Sequence, residues 1–364
     1  VKLSEDQIEL QRLARDFAQR EIAPRSAAGD QEGKIPTDLL AKIKELGLLN
    51  LRVPEQFGGL GLTTLDAAIV TEEFATACSG IASATEISEL ALTPLLLYGT
   101  ENQKEALLSD IAARGALLGY ALGPSSVLAK TKSGAISISG KCDWVLNPSV
   151  AERLFIRFSL VDKAGNFGAY VFTKSEGLAT ALRPNILGRK AQDVGSCTLT
   201  NVTIAEGELI DLGETPDSFE TRLGAHDFSI QAAVAVGIAN AALQHAIAYS
   251  KERRTFGKEI YQHQAVSFML ADMKKDITAA RLLVWQAAQA VDQGHNAASL
   301  YLACKTYAHE IAIGVATDAV QIYGGYGYSR EYPVEKLMRD AKTLDLPFDP
   351  AYELKGSLGR LLLA

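Results

Sequence analysis

Apolar residues over the first 116 positions recur at helical spacing. In SEDQIELQRLARDFAQREIAP, Ile8, Leu10, Leu13, Ala14 and Phe17 make a stripe; Ser4 stands at the N-cap with Gln7 at capping-box distance, and Pro24 closes the segment. PTDLLAKIKELGLLN, TLDAAIVTEEFATACS and ENQKEALLSDIAARG carry the same period. PEQFGGLGL, between them, reads as a turn whose glycines let backbones approach closely. From about residue 117 the pattern changes to short alternating runs rich in β-branched and aromatic residues: GAISISG, WVLN, RLFIRFSLV, GAYVFT and SCTLTNVTI. After ETPDSFE the helical period returns in three long stretches that mix small and large apolar residues, as helices of a bundle with oligomer contacts do. The pattern predicts a mainly α chain with a β middle domain. An N-terminal helical domain covers 1–116, a small antiparallel β-barrel or sandwich covers 117–215, and a C-terminal four-helix bundle covers 216–364.

Composition narrows the chemistry. A chain of 364 residues that is 48 % hydrophobic is long and apolar enough for two or three cores. A net charge of −7 argues against a nucleic-acid surface or a polybasic membrane anchor, which need clustered positive potential. The four cysteines, Cys78, Cys142, Cys197 and Cys304, lie far apart with no CxxC, so neither a disulfide framework nor a metal site is expected. His245, His263 and His309 fall on helices without metal-ligand spacing and are expected in polar or core roles. There is no GxSxG elbow and no Walker loop, and GGYG is too short for a dinucleotide fingerprint. No leader and no uninterrupted apolar run of membrane-spanning length is evident, so the expected location is cytoplasmic.

At ERRTFGK (252–258), HQAVSFMLADM (263–273), QIYGGYGY (321–328) and EYPVEKLMRDAK (331–342), the chain resembles the acyl-CoA dehydrogenase family. PEQFGGLGL (54–62) and LLLYGTENQKE (95–105) extend the resemblance to the amino-terminal part, with motifs in the family's order and spacing. The resemblance implies FAD as cofactor and an acyl-CoA or acyl-carrier thioester as substrate: a carboxylate takes the α proton while flavin N5 receives the β hydride. It also implies an oligomer in which one chain holds the flavin ring and a neighbour covers the adenosine diphosphate end. By similarity Arg253, Phe256, Gln264, Gln321, Gly324 and Gly325 form the neighbour-facing clamp. A guanidinium there neutralises phosphate, and glycines let backbone N–H groups approach.

On the ring-facing side the resemblance weakens. Between Leu122 and Lys130 the family's acidic TEPxAGSD-type loop is shortened to GPSS, with Ser125 or Ser126 as the remaining hydroxyls. In WVLN, Leu146 stands where the hydroxyl that meets N5 is expected, and leucine donates no hydrogen bond. The family's YEGT glutamate falls, without gaps, on Phe348 of LPFDP, next to Asp349. The alternative base position, used by a subset of relatives, falls on Asp227 of GAHDFSIQ, one methylene shorter than glutamate. Asp227 and Asp349 are therefore the candidate bases, with Glu86 and Glu89 of ATEISEL as outlying candidates expected in solvent. Three readings follow. The first is a subunit that completes a hetero-oligomer and clamps the FAD of a catalytic sibling, with electron transfer flavoprotein as acceptor. The second is a self-sufficient dehydrogenase using Asp227 or Asp349, and the third is a non-redox scaffold.

Overall fold

The computed structural model describes residues 2–122, 126–132, 134–161, 167–173, 177–183, 185–213, 216–345 and 351–363. Helix α1 (Glu5–Phe17) starts at its expected cap: Ser4 Oγ accepts from the Gln7 N–H and Gln7 Oε1 accepts from the Ser4 N–H, both at 3.1 Å. The buried stripe is narrower than the apolar pattern. Ala14 and Ala18 are buried with Leu10 and Phe17 packed beside them, whereas Ile8 and Leu13 are 54 % and 43 % exposed. Both lie roughly 100° or more around the helix from Ala14, outside the core-facing sector. The chain does not stop at Pro24. It winds through a π turn (Ala18–Ile22) and a 3-10 turn (Ala23–Arg25) that accepts Pro24 in its first positions, then enters α2 (Ser26–Glu32) and α3 (Thr37–Glu45).

The next two apolar stretches join into one helix, α4 (Thr64–Tyr98), capped by a Thr63–Asp66 box and interrupted at Cys78, whose φ −164°, ψ 109° is extended backbone. Helix α5 (Glu101–Arg114) follows behind the Thr100–Gln103 box. The strands are β1 (Leu118–Ala121), β2 (Leu128–Lys132), β3 (Ala135–Leu146), β4 (Arg153–Leu160), β5 (Phe167–Thr173), β6 (Leu178–Leu182), β7 (Val194–Ala205) and β8 (Ile210–Asp211). GAISISG and WVLN thus belong to a single strand. They form one sheet in the order β6-β7-β3-β1-β4-β5-β8, with β2 against both β3 and β4. The expectation of a purely antiparallel sheet is corrected here, because β4 runs parallel to β1 and to β2. Sequence pattern alone shows alternation, and both kinds of ladder satisfy it on a half-covered face.

Helix α6 (Pro216–Glu252) begins well before its apolar run and carries GAHDFSIQ inside it. A short hairpin of β9 (Arg254–Thr255) and β10 (Lys258–Glu259) leads to α7 (Gln264–Asp292), α8 (Ala298–Tyr323), α9 (Pro333–Lys342) and α10 (Ala351–Leu363). Helices α6, α7 and α8 pack together, α10 lies on α8, and α4 runs along α6 to fuse the amino-terminal helices with the bundle in one core. The stretch Arg222–Glu252 is long and apolar enough to cross a membrane, contrary to the sequence expectation, but 72 % of its most apolar part is buried inside the fold, as suits a central helix. The close approach of α4 and α6 depends on Gly237, where an added Cβ would lie 2.6 Å from the Glu72 carbonyl oxygen and 2.7 Å from Ala75 Cβ. Gly237→Ala is expected to lower stability by about 1–3 kcal/mol through overpacking, measured by urea denaturation.

Candidate active site and nucleotide clamp

Two groups of residues carry the chemistry the sequence suggests. The first lies between α4 and α6. Asp227 is 1 % exposed, and its Oδ1 accepts from Arg52 Nη2 at 3.1 Å and from Thr93 Oγ1 at 2.7 Å. Arg52, in the loop after α3, also donates from Nε to Glu89 Oε2 at 2.9 Å and from Nη2 to the Glu89 carbonyl at 2.7 Å. Glu89 further accepts from the Leu51 N–H. One guanidinium therefore serves two buried carboxylates, one on each helix.

The expectation that Glu86 and Glu89 lie in solvent is corrected: they are 8 % and 3 % exposed. Glu86 pairs with Arg189, which follows β6 in LGRKAQD. Burial brings the cost of an unpaired charge, and each glutamate meets it with an arginine from a distant loop. The Arg189 loop is pinned in turn by the motif RDAK. Asp340 Oδ1 accepts from the Arg189 N–H, while its Oδ2 accepts from Lys336 Nζ at 2.6 Å and Ser79 Oγ at 2.8 Å.

Burial pushes the Asp227 carboxyl up to about 7, outweighing the pull of the Arg52 charge and of the Thr93 hydrogen bond in the other direction. Its Oδ2 has no hydrogen-bond partner among the described residues. A value near neutrality suits a general base, but the other oxygen is held by an arginine and a threonine. Asp349, Phe348 and Ser125 lie outside the described residues. Ser126 is tied to β3, its Oγ donating to the Lys141 carbonyl at 2.9 Å.

The side that the resemblance gives to the flavin ring centres on Leu146. Leu146 closes β3, pairs with Tyr120 and Val194, and is 2 % exposed. Beside it lies a cavity of about 30 Å³ lined by Glu86, Leu146, Arg189, Gln192, Gln231 and His309, among others. That is room for about one or two waters, whereas clefts that take cofactor-sized ligands hold on the order of 300 Å³ or more. The indole of Trp144 is covered by the Arg183 guanidinium, 4.1 Å from its ring centre. The Glu86–Arg189 pair and Leu146 line this cavity, while residues 123–125 and 346–350, which the family resemblance aligns with the ring loop and the base loop, lie outside the described residues.

The second group is open. Arg253 leaves the end of α6 exposed, and the β9–β10 hairpin turns through Phe256 and Gly257 at φ +53° and +81°, a turn with both central residues left-handed. Phenylalanine is a poor choice for such a position, yet it stands there 96 % exposed. Gln264 opens α7 and is exposed, as are Gln321, Gly324 and Gly325 at the end of α8. An added Cβ at either glycine would meet nothing within 4 Å; Gly324 is called for by its own backbone at φ +58°, ψ −135°, and Gly325 by no packing inside this chain. The Arg253 guanidinium carbon lies 5.5 Å from the Tyr326 ring centre and Phe256 meets His263 edge-on at 6.2 Å, which brings ERRTFGK, the start of α7 and GGYGY together. These residues fit the diphosphate end of a dinucleotide: an exposed cation, an exposed aromatic face and open glycine backbone.

Two outcomes follow for the buried cluster. Arg52→Ala strands two carboxylates without their cation and is expected to cost about 3–5 kcal/mol in urea denaturation. Because the folded-state value of Asp227 is raised from 3.8 to about 7, its contribution makes stability fall as pH rises through that window and level off above it. Asp227→Asn should remove that fall, so its stability relative to the parent should be higher at pH 8 than at pH 5.

Residues 4–115 match the family model described as acyl-CoA dehydrogenase, N-terminal domain, and residues 229–347 match acyl-CoA dehydrogenase, C-terminal domain. The chain is 33 % identical to a probable acyl-CoA dehydrogenase of Mycobacterium leprae (strain TN), covering 100 % of this chain and 95 % of that one. It is 31 % identical to an acyl-CoA dehydrogenase of Bacillus subtilis (strain 168), covering 100 % and 98 %. Its fold superposes on butyryl-CoA dehydrogenase from Megasphaera elsdenii with a TM-score of 0.94 at 28 % identity, over 100 % of both chains. The relatives are oxidoreductases and the family is FAD-dependent. The chain belongs to the acyl-CoA dehydrogenase family.

Proposed function

We propose that this chain is the supporting subunit of a hetero-oligomeric acyl-CoA dehydrogenase. A related catalytic chain holds the flavin ring and the acyl thioester, and this chain completes the oligomer and clamps the diphosphate of that flavin. What supports the reading is the contrast between the two groups: the residues proposed as the clamp are exposed, while the described cavity beside Leu146 is about 30 Å³ and edged by a buried ion pair. Loss by drift would not spare one half. When bound in the sibling, the flavin accepts the hydride; this chain's part is to neutralise phosphate charge with Arg253 and cover the nucleotide with Phe256, Gln264, Gln321 and the Gly324–Gly325 backbone. Electron transfer flavoprotein is the expected acceptor for the assembled enzyme.

The value of about 7 for Asp227 favours a second reading, a self-sufficient dehydrogenase with Asp227 as base. Against it stands the two-sided hold of Arg52 on Asp227 and Glu89, which leaves the carboxylate committed to the protein. The two readings separate in one preparation. Co-expressed with a related chain that carries YEGT-like and TEPxAGSD-like motifs, this chain should form a yellow complex. Arg253→Ala in this chain should lower its flavin content, while Asp227→Asn should leave turnover unchanged. Unchanged flavin in the first variant sinks the clamp, and lost turnover in the second, with the complex still assembled, supports the self-sufficient reading.

A further inference from the structure

The clamp arginine is held by rings rather than by ions. Arg253 makes no ion pair among the described residues, and its guanidinium lies over the face of Tyr326, 5.5 Å from the centroid. Tyr326 packs on Tyr332 at 5.2 Å, Tyr332 on Tyr323 at 5.7 Å, and Tyr323 stacks almost parallel on Tyr249, at 4.0 Å and 14°. The series closes on itself, because Tyr249 is one helical turn before Arg253 and its carbonyl accepts the Arg253 N–H at 2.9 Å. Two hydrogen bonds fasten the ladder: the Tyr323 hydroxyl donates to the His245 carbonyl at 3.2 Å and the Tyr249 hydroxyl to the Tyr323 carbonyl at 3.5 Å. Four rings thus tie the end of α6 to the turn after α8 and to the start of α9.

A carboxylate at the place of Tyr326 would also hold the arginine, but it would cancel the charge and occupy the N–H donors that an incoming phosphate needs. An aromatic face attracts the cation through its quadrupole and leaves the donors in the guanidinium plane free. We propose that Tyr326 is the positioning residue of the clamp. It presents the Arg253 guanidinium, uncompensated and restrained, to the diphosphate of a nucleotide bound in a neighbouring chain, and the inner tyrosines fix Tyr326 itself. This inference rests on the clamp reading above and adds to it the residue that orients the cation.

Equilibrium dialysis of ADP against the purified full-length chain tests it with four proteins: the parent, Arg253→Ala, Tyr326→Leu and Tyr326→Phe. Tyr326→Leu is expected to weaken ADP binding roughly three- to fivefold, with its melting temperature unchanged because the ring is 46 % exposed. Tyr326→Phe keeps the ring face and should bind within about twofold of the parent, since the hydroxyl takes no part in the contact. If Tyr326→Leu binds ADP like the parent while Arg253→Ala binds it less well, the positioning role is refuted and the clamp stands. Equal weakening in the Phe and Leu variants overturns the ring-face argument. If the parent shows no saturable binding, or Arg253→Ala matches it, the clamp reading falls and this inference goes with it.

Discussion

The placement of Arg52 between Glu89 and Asp227 constrains everything around it. Two acidic side chains and an arginine buried between α4 and α6 are tolerated only while the guanidinium satisfies both acids. That requirement fixes the loop after α3 against both helices and sets the distance between them. It also commits Asp227, which stands at the alternative base position of the family. In the same way Arg189 commits Glu86, and Asp340 commits the backbone of Arg189. The interior between α4, α6 and the Arg189 loop thus carries a set of internal ion pairs.

The buried pairs and the exposed Arg253 meet charge in different ways. Glu86 and Glu89 are each paired with an arginine inside the fold. Arg253 lies outside against the ring of Tyr326, with no ion pair among the described residues. Phe256 also stands outside, 96 % exposed in a left-handed turn position that disfavours it.

Much of the architecture was legible because its causes are local. The Ser4–Gln7 box spans four residues and marks a helix start that the structure shows. Leu146 was legible as an apolar residue where the family resemblance expects a hydroxyl, and it is buried. The ionic plug was not. Arg52 lies 37 positions from Glu89 and 175 from Asp227, and Arg189 lies 103 from Glu86, so no spacing along the chain announces these pairs. Apolar neighbours also misled: ATEISEL looks half-solvated as a helix face, but α4 is covered on that side by the Arg52 loop, β1 and the Arg189 segment. The parallel pairing of β4 with β1 and β2 has the same origin, since alternation records which face is covered and not the direction of the neighbour.

The most direct measurement is the flavin-to-polypeptide ratio of this chain alone, after incubation with excess FAD and gel filtration. The account predicts a protein that emerges folded and essentially without flavin, because Leu146 offers the ring no hydrogen bond and the described cavity beside it is about 30 Å³. One flavin retained per chain in a homomeric particle would contradict it and would show that the Glu86–Arg189 pair opens to make a working site.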